Sequence, residues 1–128
     1  MLVVTTENLP GYEIRTVLGE VLGVTIHQRN PYAEGVKALD GGRNPLATQT
    51  LAQSRDDTVA RMLEAAQKRG ANAVVGMRFD HRVISESWAE MCAYGTAVWV
   101  VPVTHWARRQ YELMVAAGRV PPVSEVPA

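Results

Sequence analysis

The chain has 128 residues, 47% of them apolar and 20% charged, with 13 Lys+Arg balancing 13 Asp+Glu. That length suits one compact domain, and the zero formal charge excludes the cationic excess that a dedicated nucleic-acid binder or a polybasic membrane surface needs. High apolar content with few charges predicts more apolar surface than a monomer of this size can cover, for which self-association is the simplest outlet.

In chain order, Leu2-Val3-Val4-Thr5 reads as a short strand that ends before the turn cluster Asn8-Leu9-Pro10-Gly11. Residues Tyr12 to Gln28 are rich in Val, Ile and Thr and predict one long bent strand or two strands at a corner. Gly19 and Gly23 inside that run predict a bulge, a bend or a close backbone approach. Asn30-Pro31 and Asn44-Pro45 each resemble a helix entry, with asparagine as cap and proline in the first helical position. The first opens a short helix over Tyr32 to Leu39, closed by Gly41-Gly42. The second opens a long helix from Leu46 to about Arg69, with an apolar stripe of Leu51, Val59, Met62, Leu63 and Ala66 and a left-handed stop at Gly70.

Two strands follow, Asn72 to Ile84 and Trp88 to Val103, around Ser85-Glu86-Ser87. An even-numbered loop would set Val75 opposite Val98, Phe79 opposite Tyr94 and His81 opposite Cys92, placing like beside like. Thr104 then caps a helix over His105 to Ala117, stopped by Gly118, with Trp106, Gln110, Leu113 and Ala117 as its docking stripe. A proline-containing tail completes the chain. The order predicts an α+β fold, an antiparallel sheet with helices packed on one face, divided into a domain over 1–103 and an added helix and tail over 104–128.

With these elements placed, the chain resembles the YbjQ family, also called UPF0145, which carries a heavy-metal-binding label. The carrying segments are Thr5-Thr6, Gly11-Tyr12-Glu13-Ile14, Leu18-Gly19-Glu20-Val21, Gly41-Gly42-Arg43, Gly70 through Asp80, and Tyr94-Gly95-Thr96-Ala97-Val98, in family order over residues 1 to about 103. The resemblance implies a dodecin-like α+β subunit in a homo-oligomer, a pentameric ring. Two features depart from the family pattern: Asn44-Pro45 follows Gly-Gly-Arg where the family has serine, and Thr104 to Ala128 extends the core.

Three constellations are candidates for chemistry. Gly41, Gly42 and Arg43 precede a helix N-terminus, a combination of free amides, guanidinium and positive helix end that suits an anion. The plainer reading is a tight helix connection with Arg43 paired to Asp40 or Asp80. Arg78 and Asp80 lie two apart on a strand and so share a face, in a row with Arg82. They suit either a small polar ligand or an ion-pair ladder between subunits. His81 and Cys92, cross-strand neighbours in the even register, could share a divalent or soft metal ion, with a second subunit completing the site. The plainer reading there is a buried cysteine beside a hydrogen-bonded histidine, and His27 and His105 stand isolated.

Catalytic signatures are thin, with no Gly-x-Ser-x-Gly elbow and no Gly-x-x-x-x-Gly-Lys loop. Cys92 is the only cysteine, so no disulfide forms within the chain. The first residues show neither a basic n-region nor a long apolar run, which predicts a cytoplasmic protein without leader, membrane span or nucleic-acid partner. The function expected is binding and assembly rather than turnover: a small-ligand or metal-ion module with sites near subunit boundaries. The alternative is a structural ring whose residues 104–128 are presented to a partner protein.

Overall fold

The computed structural model describes residues 1–28 and 45–123. The expected helix over 32–39 and the Gly41-Gly42-Arg43 segment lie outside the described residues. Strand β1 covers Leu2–Val3 and β2 covers Tyr12–Gln28. Helix α1 runs over Pro45–Lys68, followed by β3 (Ala73–Val83), β4 (Trp88–Pro102) and α2 (His105–Ala116). The strands form one sheet in the order β1-β3-β4-β2.

Two corrections concern the sheet. It is mixed, because β1 runs parallel to β3, Leu2 beside Ala73 and Val3 beside Val74, while the other pairs are antiparallel. The β3–β4 register also differs from the even one. Val75 lies opposite Thr96, Arg78 opposite Tyr94, Asp80 opposite Cys92 and His81 opposite Met91. The cause is the odd-numbered turn Ser85-Glu86-Ser87, closed by Ile84 N donating to Trp88 O, which shifts the pairs by one place; a bulge between Val75 and Arg78, where Gly76 takes φ 63°, adds one residue to β3 and shifts the pairs beyond it by one more. Gly76 donates its amide to Thr6 O and Met77 donates to Val4 O, so the bulge is held by the segment that follows β1.

Of the two alternatives expected, strand β2 is the single long strand, with register shifts between Ile14 and Thr16 and between Val17 and Gly19, the latter at φ 102°. Helix α1 packs across β2 and β4. Val21, Met62, Ala66, Val74, Met77, Ala93 and Ala97 form the buried cluster between them. Of the stripe expected on α1, Met62 and Ala66 are buried, whereas Leu51 is exposed. Thr58 is buried too, because its hydroxyl meets Thr25 Oγ1 at 2.6 Å and donates to Ser54 O.

Helix α2 is capped as expected, Thr104 Oγ1 accepting from Ala107 N at 3.1 Å. Its docked face is not the one expected. Ala107 and Tyr111 are buried, and Trp106 and Leu113 face outward. The anchor is polar: Asn72, fully buried, donates from Nδ2 to Tyr111 Oη at 3.0 Å, and Tyr111 donates to Pro121 O. Ala107 sits against Gly11, and the Tyr12 and Tyr111 rings meet edge to face.

Candidate functional site

Alternation along β4 divides the sheet into two faces. Met91, Ala93, Ala97 and Trp99 point towards α1 and are buried. Cys92, Tyr94 and Thr96 point away and are half-buried. At one end of that second face, Leu9, Ala73, Val75, Val98 and Val100 form a small core under Leu2, Val4 and Tyr12. The remainder has no cover among the described residues. Val17, Leu22 and Ile26 of β2 are exposed there, at 67%, 50% and 61% of their surfaces.

Arg78, Asp80 and Arg82 line this uncovered face along β3, as their spacing predicted. Their partners are specific. Arg78 Nη1 donates to Thr5 O at 2.9 Å and Met77 O at 3.0 Å, binding the chain after β1 to the strand just past the bulge. Arg82 pairs with Glu90 at 3.3 Å across the hairpin. Asp80 stands opposite Cys92. Beside Arg78, a cleft of about 360 Å³ is lined by Glu7, Ile14, Val17, Val75, Thr96 and Val98.

Cys92 is therefore separated from His81 by the thickness of the sheet. Burial pushes its thiol pKa up, and the carboxylates of Glu90, Asp80 and Glu20 push it further. A thiol held protonated is a poor nucleophile and a reluctant metal ligand. The expected pairing of His81 with Cys92 does not form, because the odd-numbered turn Ser85-Glu86-Ser87 sets Asp80, not His81, opposite Cys92.

What the sheet does bring to His81 is His27, which sequence reasoning set aside. The two imidazoles stack with centroids 5.7 Å apart and planes 19° from parallel, on the side that faces α1. His27 lies opposite Ala89, whose small side chain leaves room above β4, and His81 lies opposite Met91. His27 also borders a cleft of about 400 Å³ with Thr25, Ser54, Asp57 and Arg61. Its Nδ1 is buried and has no hydrogen-bond partner among the described residues. Only the strand order could have found this pair, since β2 and β3 reach each other across β4.

No cluster of three or more His, Cys, Asp or Glu side chains with metal-holding geometry occurs among the described residues. A bound metal would thus depend on fewer such ligands, on a softer donor or on another copy of the chain. The soft donors nearest one another are the orphaned His27 Nδ1, the His81 imidazole and the Met91 thioether, but the near-parallel planes of the two rings do not aim their nitrogens at one point. Among the described residues, no helix is long and apolar enough to cross a membrane.

Residues 1–101 match a family model, YbjQ_1, whose description reads "Putative heavy-metal-binding". A UPF0145 protein of Acidothermus cellulolyticus is 45% identical over 100 residues, spanning 76% of this chain and 93% of its own length. One from Streptomyces coelicolor is 46% identical over 101 residues, spanning 77% and 95%. The fold is similar to a crystal structure of a protein of unknown function, of the DUF74 family, from Pediococcus pentosaceus. That match has a TM-score of 0.56 at 14% identity and covers 79% of this chain and 98% of the other. The matched segment ends where β4 ends, so α2 lies outside it, and the chain belongs to the YbjQ, or UPF0145, family.

Proposed function

We propose that this chain is a self-associating binding module that holds a small ligand or metal ion near the boundary between copies. The observation that carries this reading is the uncovered sheet face, where exposed Val17, Leu22 and Ile26 lie beside the charged row Arg78, Asp80 and Arg82. Apolar surface of this kind gains by being covered, and the charged row supplies register and specificity. On the family resemblance, the assembly proposed is a pentameric ring. Arg78 and Asp80 would stand at the edge of the surface that association covers, where a polar ligand would meet both a cation and an anion. Gly41, Gly42 and Arg43 remain part of the proposal on sequence grounds alone.

Native mass spectrometry on untagged protein, purified without chelator, tests the reading. A ring with a reproducible added mass per chain supports it, and a bare monomer overturns it. Leu22→Glu should dissociate the ring. Arg78→Ala and Asp80→Ala should lower ligand content, and unchanged assembly with unchanged content would remove those residues from the site.

A second reading rests on α2. Trp106 and Leu113 are 68% and 59% exposed on a helix that lies beyond the family match. A scaffold would use this face for a partner protein. Trp106→Ala with Leu113→Ala should then remove a co-purifying partner while the ring stays intact, and an unchanged partner content excludes the idea.

A further inference from the structure

We infer that α2 of one copy packs through Trp106 and Leu113 onto the uncovered sheet face of the next copy, over Val17, Leu22 and Ile26. The inference rests on the self-association proposed above and deepens it, by naming the surface of the neighbour that covers the face.

Two apolar surfaces of the chain lack cover among the described residues. One is the outer side of the sheet, where Trp88 of β4 adds its exposed ring to Val17, Leu22 and Ile26. The other is the outward stripe of α2, where Trp106 and Leu113 lie two helical turns apart on one side and Val103 is exposed just before them. A helix laid on a sheet buries both kinds of surface at once, and α1 already covers the opposite face in this way. The 12 residues of α2 span about 18 Å. Val17 to Ile26 extends over roughly 30 Å of β2, so the patch is long enough to seat the helix.

The two surfaces of one chain cannot meet each other. Ala107 against Gly11 and the buried hydrogen bond between Asn72 and Tyr111 fix α2 at the end of β4 away from the hairpin. Leu22 and Ile26 pair opposite Tyr94 and Glu90, whereas β4 ends at Pro102, about 26 and 40 Å further along the strand. The occupant is therefore a second copy. Because the contact joins two different surfaces, it runs head to tail and builds rings rather than twofold dimers.

Charge supports the same match. Glu20, Asp80 and Glu90 lie close enough to Cys92 to raise its pKa, so the middle of the uncovered face is acidic. Arg82 answers Glu90, while Glu20 and Asp80 have no ion-pair partner among the described residues. On α2, Arg108 and Arg109 are exposed and likewise unpaired there, against a single acidic residue, Glu112. Opposite charges of this kind set the register of a docked helix. Since α2 lies beyond the family match, the contact distinguishes this chain from the family core.

The test uses the full-length Cys92→Ser protein carrying Leu22→Cys and Arg109→Cys, both at exposed positions. A short bismaleimide should join these two sites between copies, giving a ladder of dimers, trimers and higher multimers on a denaturing gel. Neither single variant should give the ladder. In a second measurement, Trp106→Ser with Leu113→Ser should reduce the native mass to that of the monomer with an unchanged circular dichroism spectrum, since both side chains are exposed. A missing ladder, or an oligomer that survives the serine pair, overturns the contact. If it falls while Leu22→Glu still dissociates the wild-type oligomer, the self-association reading stands without α2. A wild-type monomer overturns both.

Discussion

Gly23 of β2 lies directly under the backbone of α1: a Cβ at that position would stand 2.4 Å from Met62 N and 2.4 Å from Thr58 O. The helix and strand therefore touch main chain to main chain, and the Thr25–Thr58 hydroxyl contact beside them follows from that closeness. Because the obstructing atoms are backbone, no side chain can rotate away. Gly23→Ala should cost about 3 kcal/mol by forcing the helix off the sheet, measured by urea denaturation. A change under about 1 kcal/mol would mean that the contact is looser than this geometry requires.

Asn72 completes the sheet where β3 has not yet begun. Its Oδ1 accepts from Val100 N at 2.8 Å and its Nδ2 donates to Val100 O at 2.8 Å, a side chain standing in for a strand partner. Asn72→Ala should destabilise by about 3 kcal/mol, since two buried backbone groups lose their partners. Tyr111→Phe should cost roughly 1 kcal/mol. The double variant should cost less than the sum, because Asn72 also bonds the tyrosine hydroxyl. Strict additivity in a thermodynamic cycle would count against a shared network.

Alkaline pH should weaken the fold through the same tyrosine. Burial raises the Tyr111 pKa above 10.0, against a smaller lowering by its hydrogen bond with Asn72, and burial also raises Tyr12. A proton held more tightly in the folded chain contributes stability that is fully present below the ordinary tyrosine value and lost as pH rises through the raised one. Urea midpoints should thus be flat up to about pH 10 and then fall. Tyr111→Phe should fall less steeply above that point, and parallel curves would remove Tyr111 as a cause.

The Cys92 thiol should react slowly. Its pKa is raised above 9.0 by burial and by three carboxylates, so at pH 8 it holds less thiolate than a free cysteine. Alkylation by iodoacetamide at pH 8 should be several-fold slower than that of glutathione, by roughly the drop in thiolate fraction. An equal or faster rate would argue that another group stabilises the thiolate.

Element boundaries were legible because this chain punctuates them locally. Gly70 takes φ 82° at the end of α1, Thr104 caps α2, and Gly19 marks a register shift in β2, all as their residue types imply. The lateral arrangement was less legible. Pairing like with like across the hairpin requires an even-numbered turn, whereas Ser85-Glu86-Ser87 is odd and sets His81 beside Met91 instead of Cys92. The face of α2 was misjudged because periodicity weighs Trp106 as apolar but carries no sign of the buried Asn72 that draws Tyr111 inward. His27 and His81 are 54 positions apart in the chain, and their stacking follows from the order β3-β4-β2 rather than from any spacing.

Gly76 sets the parity of everything after it on β3. With the bulge, odd-numbered Phe79 and His81 point to α1 and even-numbered Arg78, Asp80 and Arg82 point outward. Remove that single residue and the two sets would exchange sides, burying the charges under the helix and expelling the aromatic ring and the imidazole. Gly95 is part of the same device: a Cβ there would stand 2.7 Å from Val74 Cγ1 and 3.1 Å from Val75 O, within the strand segment that enters the bulge. Two glycines on neighbouring strands thus act as a phase selector for the hairpin. A lineage that lost either one would have to re-invent both surfaces at once.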